Sequence, residues 1–147
     1  MDLSEIKKSE GLELKAYKRK GDVWTIGYGS TYYKDNTRIK QGDVITKEQA
    51  EDLLLYKVNN EYLPQLNSVV KVELNENQKS ALLSLLYNIG IGNLKKTKLL
   101  YLINKNPNDI AIKPLWLTQY IRAGTQFEKG LRARRKREVE LYFKTTL

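Results

Sequence analysis

EGLELKAYKRKGDVWTIGYGS, Glu10 to Ser30, joins a helix end to two strand patterns, with one carboxylate at the junction. The residues before it, Asp2 to Glu10, are predicted as a helix, with Asp2 as N-cap and Glu5 closing a capping box three residues on. Leu3, Ile6 and Glu10 recur at steps of three and four, which puts Glu10 on the apolar face. Gly11 suits the end of that helix, because it accepts the left-handed backbone a terminus needs. A carboxylate on a buried face loses hydration, keeps its proton closer to neutrality and can act as a general acid. The plainer alternative is a solvated glutamate at a frayed helix end.

Past Gly11, Leu12, Leu14 and Ala16 alternate with Glu13, Lys15 and Tyr17, as in a half-buried strand. Lys20-Gly21-Asp22 is a turn signal, and Val23 to Gly29 reads as a second strand. One of its faces carries Trp24, Ile26 and Tyr28, the other Thr25, Gly27 and Gly29. Small residues leave room for something to lie against the backbone. The hairpin is therefore expected to form a cleft wall beside Glu10.

Further along, Thr31 to Val44 is a polar excursion with a turn at Asp35-Asn36 and another short strand pair. Thr46 with Gln49 is a capping box that opens a helix from Lys47 to about Leu63, and Pro64 is expected to end it. Asn75 with Gln78 opens the most apolar helix, which is expected to be a core element. Helices are then predicted at Leu94 to Asn104 and Leu115 to Ile121, with a loop at Arg122-Ala123-Gly124-Thr125 and a last helix through Phe143.

The 147 residues suffice for one domain that buries roughly two-thirds of its unfolded surface. Without cysteine there is no disulfide framework, thiol nucleophile or cysteine metal site. Without histidine the usual Ser-His and Cys-His triads and the zincin motif are excluded. Carboxylates remain as the acids and bases, and no metal or cofactor is expected. No apolar run reaches the length of a membrane span, and the N-terminus reads as a capped amphipathic helix, not a signal peptide.

The formal charge of +9 calls for an anionic partner: nucleic acid, or an anionic wall or lipid surface. Cations cluster at Lys95, Lys96 and Lys98, and at Arg132, Arg134, Arg135, Lys136 and Arg137, although such runs are also what a solvated helix face looks like. In the last helix Leu131, Val139, Tyr142 and Phe143 must face the core, leaving the basic residues a narrow exposed stripe. No recognised nucleic-acid motif accompanies them, so no specific nucleic-acid partner is expected.

Four motifs in order carry a family resemblance: E-G-x-x-L-x-A-Y at 10–17, V-W-T-I-G-Y-G at 23–29, L-N-E-N-Q-K-S-A-L-L-S-L-L-Y-N-I-G at 74–90 and G-L-x-x-R-R-x-x-E at 130–138. Together the chain resembles phage-type lysozymes (endolysins), glycoside hydrolase family 24. The resemblance implies an α+β, lysozyme-like fold in one domain over residues 1–147. A small β-hairpin lobe at about 12–45 and a helical lobe at about 65–147, with the N-terminal helix, would be joined by a long helix, with a cleft between. It implies cleavage of the β-1,4 bond between N-acetylmuramic acid and N-acetylglucosamine in peptidoglycan.

The family's catalytic pattern is Glu, eight residues, Asp or sometimes Cys, five residues, Thr. Glu10 and Thr25 match, while Arg19 stands at the Asp position and Ser30 where a histidine usually follows G-Y-G. By this resemblance Glu10 is the general acid and Thr25 positions a water, although a β-branched residue also simply suits a strand. Tyr28, Gly29 and Tyr32, with Gly124 in the family's glycine loop, are candidate sugar contacts; tyrosines at these places can equally be packing. An arginine can be neither nucleophile nor base, and a cation near Glu10 would favour its ionised form.

Three readings of the missing carboxylate stay open. Asp22 takes its place, or merely makes the turn. Glu10 works alone, as in lytic transglycosylases. Or turnover is lost and the chain is a peptidoglycan-binding virion component. The expected partners are peptidoglycan strands and the anionic bacterial envelope, for a monomer that stays in the host cytoplasm until another factor releases it, or travels in a virion.

Overall fold

Helix α1 runs from Ser4 to Glu10, in a computed structural model that describes residues 1–19, 21 and 23–145, with only the backbone of Arg19. It starts two residues later than expected. The Asp2 carboxylate accepts the Ser4 N–H at 2.8 Å, and Glu5 accepts from Arg137 Nε at 2.9 Å. Gly11, at φ +73°, turns the chain out of the helix and donates its N–H to Lys7 O at 3.0 Å.

Strands β1 (Glu13–Arg19) and β2 (Val23–Gly27) form a two-stranded antiparallel sheet in which Tyr17 faces Thr25. The register breaks between Glu13 and Tyr17. There β1 bonds on its other side: Ala16 N–H to Asp43 O and Ile45 N–H to Leu14 O, both 2.9 Å. The expected alternation is corrected accordingly, for Ala16 is buried but Leu14 is 40% exposed. A small core of Ala16, Ile26 and Ile39 gathers Trp24, Tyr33 and Ile45 around it. The polar excursion does turn back on itself, with a bridge between Tyr32 and Arg38 and a left-handed Asn36.

Helix α2 (Lys47–Lys57) begins at the Thr46–Gln49 capping box. Pro64 does not stop it. The helix widens into a π-helical turn at Val58–Tyr62, with Leu63 N–H bonded to Val58 O, and continues as α3 (Leu63–Val69). A proline inside a helix lacks one donor and clashes with the preceding turn, and a wider turn accommodates both defects. The chain forms two compact units, residues 6–64 and residues 1–5 with 65–147.

In the second of these, α4 (Glu76–Ile89) opens at its Asn75–Gln78 box, closes at Gly90 (φ +82°) and is buried on nearly all sides. The helix expected at 94–104 is two, α5 (Ile91–Lys95) and α6 (Lys98–Lys105), because Thr97 Oγ1 accepts the Leu100 N–H at 3.1 Å and caps a new start. Helix α7 spans Ile112–Leu117, not 115–121; Tyr120 (φ +48°) and Arg122 (φ +51°) are left-handed residues that cannot continue a helix.

Helix α8 (Glu128–Tyr142) packs on α4, and it corrects the exposed basic stripe. Arg134 and Arg135 are buried around Glu138. Glu138 takes Arg135 Nη1 at 2.8 Å, Arg134 Nε at 3.2 Å, Ser84 Oγ at 2.6 Å and Trp116 Nε1 at 3.1 Å. Buried charges persist when each is paired and hydrogen-bonded in this way. Among the described residues no helix is long and apolar enough to cross a membrane.

Candidate active site

Glu10 is the last residue of α1 and is half-buried, and the chain reverses at Gly11 directly after it. The neighbouring turn of α1 is tied down from one side. Lys7 pairs with Glu51 of α2, and the same ammonium lies 5.9 Å from the Tyr28 ring centroid. The Lys7 hydrogen bond foremost, with that of the Tyr28 hydroxyl, holds the Glu51 carboxyl below the usual carboxylate range. Tyr28 is only 5% exposed. Within its unit it serves as a brace between α1, β2 and α2.

Thr25 is fully buried, and its hydroxyl donates to Val23 O at 3.2 Å. The face it shares with Gly27 is not an open wall. A Cβ on Gly27 would lie 3.5 Å from both Ala50 Cβ and Ile45 Cδ1, so the small residues there let α2 approach the hairpin. Gly29 adopts φ +85° at the end of the hairpin, a conformation suited to glycine.

Tyr32 is held at two places by the long helix. Its hydroxyl donates to Glu61 Oε2 at 2.6 Å, and Lys57 Nζ sits 3.5 Å from its ring centroid. Lys57 is 5% exposed, and burial pulls its ammonium down to about 8 against the opposing pull of Glu61. Burial pushes the Tyr32 phenol upward, and the bond to Glu61 adds to it. Tyr62, next along the π turn, is pushed up to about 12 by burial, then by the charges of Glu61 and Glu10. The π turn thus carries Glu61 and Tyr62, with Lys57 directly before it at the end of α2, and the charge of Glu10 reaches Tyr62.

Sequence reasoning missed this group. Its signal was present: Lys57 continues the apolar series Ala50, Leu53, Leu54 at helical steps, a lysine where a core residue is due, and Glu61 follows one turn later.

Glu10, Thr25, Tyr28, Gly29 and Tyr32 all belong to the unit of residues 6–64, whereas Gly124 belongs to the other. Gly124 holds φ +80° and donates its N–H to Glu128 Oε1 at 2.7 Å. Asp22 and the side chain of Arg19 lie outside the described residues; the Arg19 backbone closes β1, opposite Val23.

The phage lysozyme family model matches residues 7–138. The endolysin of Bacillus phage PZA is 36% identical over 141 residues, covering 93% of this chain and 51% of that protein. The endolysin of Acyrthosiphon pisum secondary endosymbiont phage 1 is 41% identical over 99 residues, covering 67% of this chain and 64% of that protein. The chain thus spans about half to two thirds of the length of these relatives. A solved endolysin from Escherichia coli O157:H7 phage FAHEc1 superimposes with a TM-score of 0.85 at 31% identity, over 99% of this chain and 96% of that one.

Proposed function

Because the chain belongs to the phage lysozyme family, we propose that it cleaves the β-1,4 bond between N-acetylmuramic acid and N-acetylglucosamine in bacterial peptidoglycan, with Glu10 as general acid. The observation that carries this is the placement of Glu10: half-buried, at the end of a helix tied down through Lys7 and Glu51, with the glycine reversal directly after it. Its carboxylic acid would protonate the glycosidic oxygen as the bond to the sugar lengthens and the ring takes on oxocarbenium character. Thr25, buried on β2 with its hydroxyl bonded to Val23 O, would position a water, as the family resemblance implies.

Arg19 at the family's carboxylate position favours a second reading, in which Glu10 alone acts first as acid and then as base while a hydroxyl of the sugar itself attacks. Asp22 is the alternative partner, three residues along the same hairpin. Such an enzyme would meet its substrate in the bacterial wall, released by another factor or carried in a virion.

Digestion of purified peptidoglycan with mass analysis of the fragments tests all of this. Reducing ends mean hydrolysis, anhydro ends mean transglycosylation, and no fragments mean a binding role. Glu10→Gln, nearly isosteric but unable to donate the proton, should fold normally and release nothing; substantial residual cleavage would place the acid elsewhere.

A further inference from the structure

The positive charge of this chain is unevenly placed. From Asn77 to Asn108 there are five lysines and no acidic residue. Four of them, Lys95, Lys96, Lys98 and Lys105, lie on α5, α6 and the link between them, all exposed, and none has a side-chain partner among the described residues. Lys98, Tyr101 and Lys105 are spaced three and four apart, so they share the outer face of α6, while Leu99, Leu100 and Ile103 are buried on the inner one. At the helical rise, that face spans about 10 Å from Lys98 to Lys105.

Two aromatics stand in this row. Tyr101 is 65% exposed. Tyr120 is 40% exposed and donates its hydroxyl to Asn93 O at 3.5 Å, the same carbonyl that accepts the Lys96 N–H at 3.1 Å. Tyr120 is therefore beside Lys96. It keeps a left-handed backbone (φ +48°) that an aromatic residue adopts only when its surroundings impose it.

We propose that this lysine–tyrosine row on α5 and α6 docks a linear polyanion whose charges are phosphodiesters, a wall polymer of the phosphodiester-linked polyol type. A compact ammonium is a point charge suited to successive phosphates, and an exposed phenol offers a flat face to the polyol or sugar between them. A row one or two lysines wide follows a chain better than a plane, and it lacks aliphatic residues that would enter a bilayer. The assignment rests on the peptidoglycan reading only for placing the protein in the wall, because the row takes no part in the chemistry of Glu10.

Binding is measured on the full chain carrying Glu10→Gln, so that it is read without digestion and stands apart from whether the protein hydrolyses anything. The probe is poly(glycerol phosphate), titrated from low to high salt. Adding Lys95→Gln, Lys96→Gln and Lys98→Gln should weaken binding at least tenfold at low salt and flatten the log–log salt slope by about 2–3, at roughly 0.7–0.9 per phosphate contact. Tyr101→Ala should weaken it severalfold with the slope unchanged.

A matched set with the same charge loss, Lys8→Gln, Lys15→Gln and Lys47→Gln, should leave most of the affinity. If both triple variants lose binding equally, overall charge and not this row attracts the polymer, and the proposal falls. It falls also if phosphatidylglycerol vesicles or duplex DNA bind more tightly than the polymer through the same three lysines. An unchanged thermal melt of each variant keeps misfolding out of the comparison.

Discussion

Lys57→Met gives a quantitative test of the group found where α2 meets the π turn. The folded ammonium lies at about 8, against 10.5 for an ordinary lysine, because the side chain is 5% exposed. Between those values the unfolded chain holds a proton that the folded chain has released. Stability therefore rises with pH through that window. Below pH 8 the full cost of keeping the cation buried applies, about 3 kcal/mol at about 1.4 kcal/mol per pH unit separating the two states.

Working the linkage through, about 2 kcal/mol of that cost is relieved between pH 7 and pH 9.5. Tyr32, Tyr62 and Tyr142, all pushed upward mainly by burial, take stability away above about pH 10, so the comparison stops short of it. Methionine fills similar space without a charge. Urea unfolding of both proteins at pH 7 and pH 9.5 should show the stability difference between them shifting by about 2 kcal/mol, with the wild type gaining on the variant as pH rises. A difference that stays the same at both pH values would refute the depressed lysine, whatever its size.

Arg19→Asp rebuilds the Glu, Asp, Thr spacing at the end of β1 and should raise hydrolysis of purified peptidoglycan well over tenfold, since a positioned base contributes on the order of a hundredfold. If Asp22→Asn instead removes the wild-type activity, the base sits at Asp22 and Arg19→Asp should help little. Glu138→Gln strips the buried Arg134 and Arg135 of their counter-charge and should cost about 3–5 kcal/mol in chemical denaturation; a loss below about 1 kcal/mol would mean water reaches those guanidinium groups. Thr46→Ala removes the cap of α2, and a melt should show about 1 kcal/mol lost.

What was legible in the sequence alone was local. The capping boxes at Thr46–Gln49 and Asn75–Gln78, the left-handed Gly11 and the place of Glu10 at a helix end all depend on residues within a few positions of one another. Their hydrogen bonds close inside one turn, so residue type and spacing suffice to specify them. Pro64 reads as a stop and is not one, because a wider turn can absorb a proline when the helix on either side is anchored.

The tertiary structure decided the rest. Leu14 is exposed because β1 bonds to residues 43–45, and Gly27 faces Ala50 and not a sugar. Arg134 and Arg135 turn inward because Glu138 is there to neutralise them, together with Ser84 and Trp116 from other helices. Lys57 can be buried because the ring of Tyr32, 25 positions earlier, receives its charge and Glu61 lies close by. A charge in water costs nothing to leave alone, whereas a charge in the interior requires a specific partner, and which distant residue supplies it is set by the packing of elements, not by the order of the chain.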